Sequence, residues 1–274
     1  MTILEAVILG IVQGLTEFLP VSSSGHLTIG KALLGITEKG ILFDVIVHLG
    51  TLFAVATAFW PDIVWMSRGL GALVRRRKED PARETDEHRQ ARRYSLFLVY
   101  ATVPTVIVGL FFHDFVERAY GSPLLAAAFL LVTGAILLLS RLGLNATGNV
   151  TMGRALAMGL AQVVAILPGI SRSGSTIATG MLAGMEREQA ARFSFLMALP
   201  AISGAFVLQM VGLIKQEVVR VPVMPMIAGF AVSYLSGYLA IRALMKLVRH
   251  GRFDYFAWYC FAVGLTGIYF FALR

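Results

Sequence analysis

The sequence has one cysteine in 274 residues, Cys260, so an intramolecular disulfide is excluded. That thiol lies in an apolar run, where a buried structural role is its default. Charge is scarce too: 15% of residues are Asp, Glu, Lys or Arg, against 57% hydrophobic. With a mean hydropathy of +0.74, such a chain has too little polar surface to shield its apolar residues from water, and a soluble globular domain is excluded. No His-x-x-x-His, paired-Cys or multi-Asp spacing occurs, which argues against a dedicated metal cluster. Nor is a cleavable signal peptide expected. The N-terminus lacks a basic segment, and its apolar stretch is interrupted by Glu5, Gln13 and Glu17.

What the chain has in quantity is long apolar runs. In lipid the backbone must pair with itself, which leaves helices or a closed barrel, and a run such as Leu124 to Leu139 is too long to alternate as a barrel strand. The fold class expected is an all-α polytopic membrane protein, a single integral domain over 1–274. Its full spans are expected near 41–60, 94–112, 123–141, 192–214, 223–245 and 254–273. The net charge of +8 reads as topology and not as nucleic-acid binding, because the basic residues gather beside the spans.

Residues 61–93 carry Arg68, Arg75, Arg76, Arg77, Lys78, Arg83, Arg89, Arg92 and Arg93, and we assign this segment to the cytoplasm as a basic loop. Alternation then puts His113, Asp114 and Glu117 outside, Arg141 and Arg154 inside, Lys215 and Glu217 outside, and Arg249 with Arg252 inside. Both termini come out external. The run Arg75 to Lys78 reads as a topological and anionic-lipid contact. Trp60, Trp65, Trp258 and Tyr259 read as interface anchors, and Gly204, Gly229, Gly237 and Gly264 as points of close helix packing or a lipid-tail groove.

Two apolar segments, 3–35 and 152–186, are broken in the middle by Pro, Gly and polar residues. One offset of 149 superposes them: Gly10 on Gly159, Gln13 on Gln162, Ser22 on Ser171, Ser24 on Ser173, Gly25 on Gly174, Leu33 on Leu182 and Gly35 on Gly184. We read a duplication, with repeat one about 1–141 and repeat two about 150–274. Each broken segment is expected to be a re-entrant helix-loop-helix hairpin, since each half is too short to cross alone. Three intervening spans make the second repeat inverted, so six full spans and two opposed hairpins result, with tips meeting near mid-membrane. Two ordinary kinked spans, giving eight crossings, are the alternative.

The tips hold the chemistry. Gln13 and Glu17 share one helix face, and an intramembrane carboxylate marks an ion, proton or substrate site unless it merely ties the hairpins together. Ser22, Ser23 and Ser24 exceed what capping the return helix needs, and His26 is a candidate general acid or base. In the second tip Arg172 offers a planar fork of donors for phosphate or carboxylate. Ser171, Ser173, Gly174, Ser175 and Thr176 surround it with hydroxyls and backbone amides at a helix start. One carboxylate, one imidazole and one guanidinium suit a phosphorylated substrate better than a metal. Asp44 and His48, four apart on the next span, are read either as support for Glu17 or His26 or as an internal packing pair.

The stretches Gln13-Gly14-Leu15-Thr16-Glu17-Phe18-Leu19-Pro20-Val21-Ser22-Ser23-Ser24-Gly25-His26 and Leu167-Pro168-Gly169-Ile170-Ser171-Arg172-Ser173-Gly174-Ser175-Thr176 resemble the two signature motifs of the undecaprenyl-diphosphate phosphatases of bacterial membranes, the bacitracin-resistance family. The resemblance extends over the whole chain, including Phe43 to Gly50 and Phe193 to Leu196. It implies hydrolysis of the lipid diphosphate carrier to monophosphate and phosphate, recycling the carrier used in peptidoglycan synthesis. It also implies a site in the cytoplasmic (inner) membrane open to the external face. By resemblance the acidic motif maps to Gln13 and Glu17, the Ser-Gly-His motif to Ser23, Gly25 and His26, and the Arg motif to Arg172 and Thr176. Many members have two glutamates where this chain has Gln13, so Glu17 carries the acidic role alone and a metal bridged between two carboxylates is in doubt.

The expected chemistry is phosphoryl transfer. Catalytic roles fall to Glu17, Ser23, His26 and Arg172, and substrate binding to Gln13, Ser22, Ser24, Gly25, Ser171, Ser173, Gly174 and Thr176. In one version Ser23 attacks phosphorus with Glu17 or His26 as base. In the other, His26 activates a water and Ser23 only holds an oxygen. The resemblance makes Mg²⁺ or Ca²⁺ a candidate cofactor, with Glu17 the candidate ligand, although no dedicated ligand set is visible. Partners expected are a polyprenyl diphosphate and membrane lipids, and a homodimer is compatible with the sequence. The rival function is a lipid-phosphate flippase or small-anion transporter, since inverted repeats with broken helices are also a transporter architecture.

Overall fold

Prolines and capping residues decide where these helices stop and start. In the computed structural model, which describes residues 1–36, 41–76, 85–112, 118–214 and 223–272, helix α1 (Ile3–Phe18) opens on a reciprocal cap. Thr2 Oγ1 accepts from the Glu5 N–H at 3.2 Å, and Glu5 Oε2 accepts from the Thr2 N–H at 2.8 Å. It ends because Leu19 precedes Pro20 and is held extended, at φ −63° and ψ 144°. Helix α2 (Ser23–Leu33) returns from the break. Helices α3 (Ile41–Ala58) and α4 (Trp60–Arg76) meet at 77°, where Pro61 lacks an N–H and in a straight helix its ring would crowd the Thr57 carbonyl. Then come α5 (Asp86–Phe111), α6 (Pro123–Leu139) with a 3₁₀ turn Ser140–Gly143, and the second broken pair, α7 (Met152–Val164) and α8 (Arg172–Leu182). Last are α9 (Arg187–Ile214), α10 (Val223–Arg249) and α11 (Tyr255–Ala272).

The protein is all-α and multi-pass. Among the described residues, α5, α6 with its 3₁₀ turn, α9, α10 and α11 are each long and apolar enough to cross a bilayer, and the bent α3–α4 pair makes a sixth candidate. Five of these match spans expected from sequence, and the expected span 41–60 falls on α3, which qualifies together with α4; α5, α9 and α10 reach further into charged sequence than expected. The segment 61–93 is not simply a loop. Residues 60–76 are helical because their apolar residues fall on one face, and α5 already begins at Asp86. The rest of that connection, 77–84, lies outside the described residues, as do His113, Asp114, Glu117, Lys215 and Glu217. Large apolar side chains such as Phe111, Leu239 and Tyr269 are exposed on the outer surface, as a lipid-facing surface requires.

Packing partners are exchanged between the halves. Helices α1 and α3 pack on α10, whereas α7 and α9 pack on α5, and α6 packs on α11. The two broken pairs use glycines 149 apart to do this: a Cβ on Gly10 would lie 2.9 Å from the Gly229 carbonyl oxygen, and one on Gly159 would lie 2.2 Å from that of Ala101. Small residues let backbones approach where lipid supplies no hydrophobic drive to bring helices together. Beneath the hairpin tips sits an aromatic core in which Phe195 packs edge-on to Phe18 at 5.8 Å and near Phe59 at 5.7 Å.

Gly14 is the tightest of these contacts, since a Cβ there would fall 1.9 Å from Ser236 Oγ and 2.5 Å from the Ser233 carbonyl oxygen. Gly14→Leu is expected to lower the melting temperature of the purified protein by the equivalent of about 3 kcal/mol or more, or to abolish folded yield. Leu239→Ala, on the exposed face of α10, should leave melting nearly unchanged.

Candidate active site

The two breaks, 19–22 and 165–171, touch each other, and their contacts mirror one another. Ser22 Oγ accepts from the Gly25 N–H at 3.3 Å, and Ser171 Oγ accepts from the Gly174 N–H at 3.0 Å. In both tips the capping hydroxyl lies 3.3 Å from the serine two residues on, Ser24 in one and Ser173 in the other. A Cβ on Gly25 would meet Gly169 Cα at 3.0 Å, and one on Gly174 would meet Pro20 Cβ at 3.3 Å. Ser173 Oγ donates to the Leu19 carbonyl at 3.2 Å, from one tip to the other.

Helices behind the tips hold them. Thr133 on α6 donates to the Gly169 carbonyl at 2.8 Å and accepts from the Ser171 N–H at 2.9 Å. The Cys260 thiol on α11 lies 3.7 Å from the Pro20 carbonyl. Ser22 has φ +68°, a left-handed conformation that costs about 1–3 kcal/mol outside glycine and persists only where surroundings impose it. Here its hydroxyl caps Gly25, while its carbonyl accepts from the His26 N–H at 3.2 Å and from His26 Nδ1 at 2.8 Å.

Glu17, 8% exposed, is the centre of the site. Its Oε1 accepts from Arg172 Nη2 at 2.7 Å, and its Oε2 accepts from Ser23 Oγ at 2.6 Å and from Gln13 Nε2 at 3.0 Å. His48 Nε2 approaches Oε2 at 3.9 Å. Arg172 Nη1 donates to the Ser194 carbonyl at 3.4 Å, and Thr176 sits behind it, donating to the Arg172 carbonyl at 2.7 Å and bonding the Ser194 hydroxyl at 2.7 Å. These bonds use two of the five guanidinium N–H groups. Gln13 is fully buried with its Oε1 unpartnered, an acceptor left beside the carboxylate.

The other expected residues sort differently. His26 faces Tyr259: a carbonyl only accepts, so Nδ1 carries the proton, and Nε2 accepts from the Tyr259 hydroxyl at 2.9 Å with the rings stacked at 5.5 Å. Tyr259 is therefore not merely an interface anchor. Asp44 does not support Glu17 or His26; its carboxylate takes Lys31 Nζ at 2.5 Å, tying α3 to α2. Only its carbonyl serves His48, accepting from Nδ1 at 2.7 Å, which turns Nε2 toward Glu17. Lys31, Thr133 and the site contact of Tyr259 went unrecognised in the sequence because single polar residues in unrelated segments carry no spacing signal. Ser194 lay inside a quoted motif without a role.

These residues do not build a cage for a divalent ion. Among the described residues no three His, Cys, Asp or Glu side chains converge. Both Glu17 oxygens are already bonded, and the oxygens left at the tips are neutral amide, hydroxyl and carbonyl groups, whereas Ca²⁺ takes six to eight oxygen ligands built around carboxylates.

Fold and site together define a class: a multi-pass helical membrane protein with an acid–guanidinium centre and capped hydroxyls at the joined tips of two broken helix pairs. The family described as bacitracin resistance protein BacA matches residues 6–266, and the chain belongs to it. It is 42% identical over 269 residues to an undecaprenyl-diphosphatase of Bacteroides fragilis, covering 96% of each chain. It is 40% identical over 273 residues to one of Methanosphaera stadtmanae, covering 97% of each. With a third, of Salinibacter ruber, it shares 40% over 271 residues, 98% of this chain and 99% of that one.

Thr133 is expected to be the strut of the second tip. Thr133→Val would leave a buried carbonyl and a buried N–H unpaired, at about 1–3 kcal/mol for each group. Thermal melting should fall accordingly, and Thr133→Ser, which restores the hydroxyl, should recover most of it.

Proposed function

We propose that the chain hydrolyses undecaprenyl diphosphate to undecaprenyl phosphate and phosphate, regenerating the lipid carrier of peptidoglycan synthesis and so conferring bacitracin resistance. The full-length relatives named undecaprenyl-diphosphatase support this reading, and the transport alternative gains no such support. The observation that carries the chemistry is Ser23 Oγ donating to Glu17 Oε2 at 2.6 Å while Arg172 Nη2 holds the other carboxylate oxygen at 2.7 Å.

In this reading Ser23 is the nucleophile and Glu17 its base. The Ser23 oxygen bonds the terminal phosphorus and its proton passes to Glu17, while the bond from phosphorus to the bridging oxygen breaks and the lipid monophosphate leaves with that electron pair. Water then cleaves the phosphoserine and releases phosphate. Arg172 presents its uncommitted N–H groups to the equatorial oxygens, where charge stabilisation counts most. Amides at the starts of α2 and α8 add donors, with Ser22, Ser24, Ser171, Ser173, Gly25 and Gly174 shaping the cradle. The Ser23 version is favoured over water activated by His26, because the His26 Nε2 lone pair is taken by Tyr259. Gln13 orients Glu17, and Thr176 with Ser194 orients Arg172.

We further infer one domain of two inverted repeats, with the tips reached from the external side of the cytoplasmic membrane. The exchanged packing and the tip contacts 149 residues apart support the repeat. The basic segment 61–93 supports the orientation.

Phosphate release from undecaprenyl diphosphate by purified protein in detergent tests the activity. Glu17→Ala and Ser23→Ala should each lose on the order of a thousandfold in turnover. Arg172→Lys should lose roughly a hundredfold, because an ammonium cannot reproduce the fork. A phosphoserine trapped on Ser23 would secure the covalent route, whereas near-normal turnover by Ser23→Ala would transfer the attack to water.

A further inference from the structure

Away from the hairpin tips, a cavity of about 800 Å³ opens between α4, α5, α9 and the residues leading into α7. Its charged lining is Asp62, Asp86, Arg89, Arg93 and Arg192, so three guanidinium groups face two carboxylates. The carboxylates are already matched: Arg192 Nε donates to Asp62 Oδ1 at 2.5 Å, and Arg89 lies 3.2 Å from Asp86. Arg93 makes no ion pair or hydrogen bond to another described residue, and its exposed guanidinium is the surplus charge. Gln90 and Gln189 line the same space with amide donors. A cation would meet only acids that are already paired, whereas an anion meets an open fork.

We infer that this cavity binds a phosphate group, at Arg93. A guanidinium holds phosphate through two parallel N–H bonds, and basic pockets between membrane helices recognise anionic headgroups. Part of the lining is aromatic: Trp65 and Tyr94 pack edge-on at 5.6 Å, and Phe97 lies one turn further along α5. Such a lining suits the glycerol and upper acyl carbons beside a headgroup. Its level in the bilayer fits as well. α4 leaves α3 at 77°, so it runs across the end of that span, and its first residue, Trp60, is exposed as an interface residue would be. The phosphate has two available sources, an anionic phospholipid or free phosphate in solution.

Trp65 is a built-in reporter, since the chain has three tryptophans and Trp60→Phe with Trp258→Phe leaves it alone. In this background the full-length protein is placed in phosphatidylcholine nanodiscs and titrated with inorganic phosphate. In a second arm the phosphatidylglycerol content is raised without phosphate. A saturable change in Trp65 emission is expected in at least one arm. A response to phosphatidylglycerol alone assigns the lipid, and a response to phosphate assigns the free anion. Arg93→Gln should weaken the response at least tenfold, and Gln90→Glu, an independent surface change that adds a negative charge, should do the same. No saturable change in either arm, or responses by both variants equal to that of the parent, would overturn the site.

Discussion

An ion pair withdrawn from water between two broken helices is tolerable only if its members' remaining protons and lone pairs are also met. Glu17 and Arg172 come from different broken helix pairs, 155 residues apart in sequence, and their bond joins the two tips. Removing one partner of such a pair typically costs about 3–5 kcal/mol, because the other charge is left buried and alone. Much of the surrounding polar structure serves that bond. Gln13, Ser23 and His48 attend the carboxylate, Ser194 and Thr176 attend the guanidinium, and Thr133 secures the loop from which Arg172 starts its helix.

The same bond has a chemical use. A carboxylate held by an arginine keeps its charge in an apolar bundle, and a serine pointed at it is already oriented to lose a proton. In the proposed mechanism the pair positions the nucleophile and the charge-stabilising group together, and an incoming diphosphate would compete for the arginine's remaining donors. Catalysis by positioning and electrostatics needs this kind of preorganisation. The strained Ser22 belongs to the same economy: its carbonyl fixes the imidazole of His26, and its hydroxyl starts α2.

Much of the fold was legible because lipid simplifies the code. Runs of apolar residues had to be helices, and their ends fell where Pro20, Pro168 and the capping serines break the pattern. The Ser22 and Ser171 caps follow from residue type alone, as does the burial of Glu17. The character of 61–93 was harder to read. Its arginines spoke for a loop, while the amphipathic face of α4 and the bend at Pro61 became evident only once α3 and α5 were beside it. Asp44 misled for a related reason, since its sequence neighbour His48 stood closer along the chain than Lys31, its partner from α2.

By itself the sequence determined the all-helical membrane class, the two broken segments, and the set of polar residues collected at the tips. Composition and periodicity act over a few turns of chain, which is enough to place helices and their breaks. Only the tertiary structure decided which of those residues meet. It put Ser23 and Arg172 on the two oxygens of Glu17, gave His26 to Tyr259, and gave Asp44 to Lys31. Such pairings depend on how helices far apart in sequence lie against each other, and that follows from close backbone approaches such as Gly10 to Gly229 and Gly159 to Ala101, where packing rather than local propensity sets the distance.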